Sequence, residues 1–334
     1  MITLLLLAAL QLPVESGLRT RSVGPGESYP TLDAALQEAN AGDTLRLGPG
    51  VHAGPLLIDR PVVLLGEEGA VLDGGGRGTT ITVEADSVTI RGLGIRNSGR
   101  SLDRDEAAIK LVRCTGCRVI GNDIREPLHG IYLLESAGIS VAGNRIVGNE
   151  TLPEARRGNG IHLFHSSAVE IESNTIRGTR DGIYFSFSSG NRIAGNDVED
   201  VRYGLHYMYS DDNRFERNHF RRNAAGAAIM FSRRIVFSEN TFAEHVGYRA
   251  YGILLQTAYE VEARGNRIEG NLVGVFMDMS ENNSFLDNVI AGNGIGAFSG
   301  FIRLRRFPPL RHPGRRTVRS RGAAAQRPGL QQAR

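Results

Sequence analysis

Apart from Met1, the methionines of this 334-residue chain stand at 208, 230, 277 and 279, and His206 lies two residues before the first of them. Two thioethers and an imidazole make a soft donor set, better suited to Cu(I) than to zinc or calcium. His206, Met208 and Met230 are therefore the candidate metal ligands. The competing reading makes the same residues a protein-docking face, since exposed Met and Tyr also serve adaptable contacts. Plain partner contact is the more ordinary explanation, and Met277 reads as core.

Three further groups could do chemistry. Cys114-Thr-Gly-Cys117 has thiol spacing seen in metal and redox sites but no second pair. Cys117 falls in an apolar column, so core packing comes first, a local disulfide second and metal third. Asp211 and Asp212 could form a carboxylate pair for sugar chemistry, although aspartates in a β-turn have an ordinary structural role. His245 is a possible extra ligand or simply a solvated loop residue.

Residues this far apart act together only if the chain stacks them, and a repeat does so. Asn recurs at 122, 144, 174, 196, 218, 240, 266 and 288, with an apolar residue two positions on, spaced mostly by 22. A glycine column keeps the same register: Gly130, Gly160, Gly182, Gly204, Gly226, Gly252, Gly274 and Gly296. A third column, from Val119 to Phe285, lies three residues before each Asn. No apolar run reaches three helical turns, so the unit is not a helical repeat. It fits one winding of a right-handed, single-stranded parallel β-helix, with three short strands per coil and about twelve coils. Asn suits the turn through its tolerance of left-handed backbone and its capacity for side-chain ladders. Gly permits close backbone approach at the next corner. Pro30–Asn40 reads as a short helix capping the first coil.

Alternation after each glycine sends Ile131/Leu133, Ile183/Phe185 and Leu205/Tyr207 inward and the residues between them outward. Tyr132, His162, Tyr184 and His206 then form an exposed ladder of rings, and Phe276 lies further along the same face. Met208 and Met230 become neighbours one strand apart. The three departures from the 22-residue period all enlarge the turn before this strand, so loops around 97–106, 150–158 and 244–250 wall the face.

Composition bounds the function. With 42 Gly, 41% hydrophobic residues and no G-X-Y period, the chain is neither collagen nor a membrane bundle. The net charge of +3 comes from the end: 301–334 holds ten Arg and no acidic residue, whereas the 29 basic and 36 acidic residues of 1–300 give −7. The body therefore offers no electrostatic case for nucleic acid. Residues 1–20 read as an atypical signal peptide, without a basic start or an A-x-A site; a misassigned start ahead of a buried strand is the alternative. The β-helix occupies 21–300. The Arg-rich tail 301–334 breaks the repeat and reads as disordered or frameshifted.

Two stretches carry a family resemblance. Pro30–Gly76, with Ala41-Gly-Asp43 and Leu47-Gly-Pro-Gly-Val51, is similar to exported β-helix proteins of the carbohydrate-binding/sugar-hydrolase class. Arg202–Asn218 (RYGLHYMYSDDNRFERN) and Ala227–Asn240 (AAIMFSRRIVFSEN) resemble the NosD family, periplasmic accessory proteins for copper-site maturation of nitrous oxide reductase. The resemblance runs from about residue 20 to 300. It implies a non-catalytic periplasmic protein, handling copper and working with an ABC transporter, a copper chaperone and the apo-reductase. The competing classes are a β-helix polysaccharide lyase, hydrolase or epimerase, and a passive glycan- or protein-binding module. An enzyme of that kind needs convergent carboxylates or a calcium cluster, and the outward columns offer rings and thioethers instead.

Overall fold

The computed structural model describes residues 18–299. The first 17 residues and those from 300 onward, where the leader and tail expectations fall, lie outside the described stretch. Within it, short strands wind through three parallel sheets of twelve, eleven and eleven strands. The first sheet runs from Thr20–Val23 to Ser284–Leu286, the second from Gly50–Ala53 to Val289–Ala291, and the third from Leu56–Ile58 to Ile295–Ser299. Every pairing is parallel and joins equivalent positions of successive coils, as in Ile124↔Ile146 and Phe215↔Phe237. The short helix Leu32–Glu38 packs Leu32, Ala35 and Leu36 over the first coil, its start capped by the Thr31 hydroxyl.

The interior is a set of stacks. Phe185, Tyr207, Phe215, Phe220, Phe237 and Phe242 are fully buried, and Phe215–Phe237 and Phe220–Phe242 stack with centroids 5.0 and 5.3 Å apart. The glycine column works by close approach: a Cβ on Gly182 would lie 2.2 Å from Val198 Cγ1 and 2.6 Å from the Gly204 carbonyl oxygen. No larger residue fits that corner.

The Asn ladder is as continuous as its spacing predicts. Asn174 donates from its backbone and its amide to Asn196 Oδ1, both at 2.9 Å, and Asn196 donates on to Asn218 Oδ1 and back to the Ile171 carbonyl. Its physical basis differs from the expectation. The left-handed residue is the one before each Asn, such as Gly143, Ser173, Gly195 and Arg217, while the Asn itself contributes its amide. The early coil, with Leu93 in the Asn place, donates the ladder's first bond from the Leu93 amide to Asn122 Oδ1.

Two more ladders escape the sequence reading. Ser136, Ser166, Ser188, Ser210 and Ser232 accept, coil to coil, from the backbone N–H one winding earlier. Asn223, His245, Asn271 and Asn293 do the same at the corner before the third sheet. Cys114 heads the serine column, and the Val88 amide donates to Cys117 Sγ. Both cysteines are buried free thiols. The core reading of Cys117 holds, and Cys114 takes a polar ladder position.

Candidate functional site

The outward face of the third sheet gathers the chemistry, because the sheet aligns every 22nd residue. Met208 and Met230 are Cα partners on Tyr203–Met208 and Ala225–Arg233, and His206 shares the first of these strands. Both thioethers are half-buried, and Tyr184 Oη sits 4.0 Å from Met208 Sδ. Met277 is core, as expected. Met279 falls just past the strand Val273–Asp278 in a left-handed turn and is exposed.

The ring ladder exists: Tyr132–His162, His162–Tyr184 and Tyr184–His206 have centroids 4.4, 4.5 and 4.8 Å apart. It ends at Ala228, the partner of His206 on the next strand. Phe276 is therefore separate, stacking with Tyr251 and Phe298 beyond that gap. Contrary to expectation the ladder is not exposed. Tyr132 retains 4% of its accessible surface and His162 is largely covered. The first enlarged turn contributes to this, lying over the ladder rather than beside it: Tyr132 Oη reaches Asp105 Oδ2 at 3.3 Å, and Lys110 binds the Arg104 and Asp105 carbonyls while its ammonium sits 4.9 Å from the Tyr132 ring.

Burial sets the charge state of these rings. It pushes the His129 pKa down to about 4 and that of His162 well below the usual imidazole range, so both are neutral. His162 Nδ1 lies 3.3 Å from the Asn159 amide, and its Nε2 is buried without a hydrogen-bond partner. His245 is neither a ligand at the surface nor solvated: it is a buried rung of the corner ladder, its Nδ1 accepting from the Asn223 amide.

His206 is held differently. Its Nδ1 lies 2.9 Å from Oδ2 of Asp181, a carboxylate with 1% exposure, and Arg202 binds both oxygens of that carboxylate at 2.8 and 2.7 Å. Burial opposes the Asp181 charge, and the His206 and Arg202 hydrogen bonds outweigh it, keeping this carboxyl below its usual pKa. Imidazole held at Nδ1 by a carboxylate presents Nε2 for coordination, an arrangement common at metal-binding histidines. Sequence alternation missed Asp181 because, counted back from Ile183, it belongs to the inward set; the corner at Gly182 breaks the alternation. The column before the glycines (His129, Asn159, Asp181, Tyr203) would have flagged it.

A second feature also went unread. His165, Phe187 and Tyr209 stand just past their strands, and Phe231 at the equivalent place within Ala225–Arg233, their rings parallel within 6–10° and 4.9–5.2 Å apart. Phe187, Tyr209 and Phe231 are 48%, 46% and 42% exposed, forming an apolar ridge directly after Met208 and Met230. All four have left-handed backbone, and this position fell outside the alternating columns. Asp211 and Asp212 are ion-paired to Arg233 and Arg234, which supports the structural reading of that pair over a catalytic one.

Among the described residues no three His, Cys, Asp or Glu side chains converge as a hard-metal site. The donors that share the outward strand face are soft: one imidazole oriented by a carboxylate, and two methionines in register on adjacent strands. That set fits a monovalent copper ion by its chemistry.

The fold defines a parallel β-helix protein. Residues 146–301 match the family described as "Periplasmic copper-binding protein (NosD)", a stretch that contains His162, Tyr184, His206, Met208 and Met230. The resemblance to NosD proteins is thus borne out over residues 146–301, a little under half of the chain and less than the stretch of about 20 to 300 expected. The chain is 37% identical over 167 residues to a Pseudomonas aeruginosa protein named "Probable ABC transporter binding protein NosD", covering 50% of this chain and 38% of that one. A Stutzerimonas stutzeri protein of the same name is 33% identical over 138 residues, 41% of this chain and 32% of its own length. The matched stretch thus spans well under half of these relatives. Such descriptions are those of binding proteins rather than enzymes. Among solved structures, the Dettilon tailspike protein superposes with a TM-score of 0.58 at 14% identity, covering 77% of this chain and 62% of that one. A family 28 exopolygalacturonase of Yersinia enterocolitica gives 0.56 at 11% identity, covering 80% and 74%. At those identities the likeness is one of fold.

Proposed function

We propose that this chain is a non-catalytic periplasmic copper-handling protein, carrying Cu(I) at His206, Met208 and Met230 during assembly of the copper centre of nitrous oxide reductase. The observation that carries this reading is the register of Met208 with Met230 on the strand face that also bears His206. A thioether pair with one neutral imidazole offers no formal charge to a divalent ion and soft sulfur to a monovalent one. The partners would be an ABC transporter, a copper chaperone and the apo-reductase. The transporter has support in the names of the relatives.

The test is Cu(I) titration of the protein against a His206→Ala/Met208→Ala/Met230→Ala variant, in competition with a chromophoric Cu(I) chelator. Loss of tight binding in the variant is expected; equal affinity in both would remove copper from this face. The ridge of Phe187, Tyr209 and Phe231 favours a second reading, in which the face docks a protein partner without holding metal. That reading is retained if the triple variant still binds its transporter and wild type binds no copper.

A further inference from the structure

Asp181 carries a full charge in a buried position next to the proposed metal-binding imidazole, and Arg202 cancels it. Arg202 is itself fixed: its Cζ lies 4.8 Å from the Tyr203 ring centroid, its backbone N–H donates to the Arg180 carbonyl, and its fork grips both Asp181 oxygens. Arg202 also has a nitrogen 3.4 Å from His206 Nδ1. That contact competes with Asp181 for the same ring atom. The shorter, charge-assisted bond at 2.9 Å decides in favour of Nδ1–H donating to Asp181.

This arrangement has two effects on a cation at Nε2. The carboxylate fixes the tautomer and strengthens the imidazole as a donor. An unbalanced carboxylate would also draw in divalent ions, since a nearby negative charge acts twice as strongly on a dication as on a monocation. With Arg202 bound bidentately the pair is neutral, and the orientation is kept without the attraction. We infer that Asp181 is the positioning residue for His206 and that Arg202 sets the selectivity of the site for a monovalent over a divalent cation. This rests on the copper-carrying reading above and adds to it the residues that exclude Cu(II) and Zn(II).

The experiment compares wild type, Arg202→Met and Asp181→Asn for Cu(I), Cu(II) and Zn(II) affinity and for the reduction potential of bound copper. Arg202→Met is expected to gain at least about tenfold for Cu(II) relative to Cu(I), a fall of about 59 mV in potential. Asp181→Asn leaves Arg202 unmatched and shifts the potential the other way, so the inference remains testable if Arg202→Met folds poorly. A double variant, Asp181→Asn with Arg202→Met, should return the selectivity toward wild type. Independently of metal, ¹⁵N NMR of the apo protein should show His206 protonated at Nδ1 in wild type and Arg202→Met, and a shift toward Nε2–H in Asp181→Asn. Unchanged potential and divalent affinity in both single variants, or His206 protonated at Nε2 in wild type, would overturn the inference. If His206→Ala leaves Cu(I) affinity intact, the failure lies instead with the copper reading itself.

Discussion

Met208 and Met230 are Cα partners on adjacent parallel strands, so two methionines 22 positions apart in the chain are set side by side by the sheet. The proposed copper site rests on this pairing, which can be altered with little change in volume. Met208→Leu and Met230→Leu should each weaken Cu(I) binding by more than the roughly 10–100-fold typical of losing an outer supporting group. Both are half-buried, so thermal stability should change by under about 1.5 kcal/mol. Chelator competition and a melting curve on the same samples check the two halves of the prediction.

Acid should loosen the rod through its buried histidines. Burial lowers the His245 pKa to about 3 from the 6.5 of an open imidazole. Between those values the unfolded chain takes up a proton that the folded chain refuses. The stability contributed by neutral His245 is thus fully present above pH 6.5 and declines as pH falls toward 3, by at most about 1.4 kcal/mol per pH unit. Asn occupies the rungs on either side, at Asn223 and Asn271. His245→Asn should therefore keep the ladder and flatten the pH dependence. Urea midpoints at pH 7 and pH 5 would show it; an unchanged slope would count against this account.

Asn196 holds two donors of Asn174 and satisfies the Ile171 carbonyl, all out of water. Asn196→Ala strands those groups. At about 1–3 kcal/mol for each buried unsatisfied group, a loss of at least about 3 kcal/mol is expected. Hydrogen exchange should locate the weakening at the coils containing Asn174 and Asn196.

Cys114 takes a place that later coils give to serine, and its backbone amide already binds Ser136 Oγ. Cys114→Ser should thus be accepted with a stability change near the ordinary scatter of about 1 kcal/mol. The neighbouring Cys117 thiol and, after it, burial raise the Cys114 pKa, so the native thiol should resist alkylation until the coil opens. Rapid labelling of Cys114 in native protein would show that the turn is open.

The winding was legible because a parallel β-helix writes its period into the chain. Asn122 through Asn288 and Gly130 through Gly296 mark equivalent corners, and the register of Met208 with Met230 follows by counting. What counting missed lies where alternation fails. Asp181 stands at a corner, and the rings of Phe187, Tyr209 and Phe231 sit on left-handed backbone positions that break the alternating run. The cover over Tyr132 was missed for another reason: loop length predicts that a loop exists, whereas its direction depends on single contacts such as Asp105 with Tyr132.

The three long turns interrupt the winding at one edge only, and the strands on either side of each keep their partners. Lengthening or replacing such a turn therefore leaves the buried stacks as they were. A lineage could refit the cover above the rings, admitting a different visitor, by insertions and deletions alone and without moving a single interior side chain.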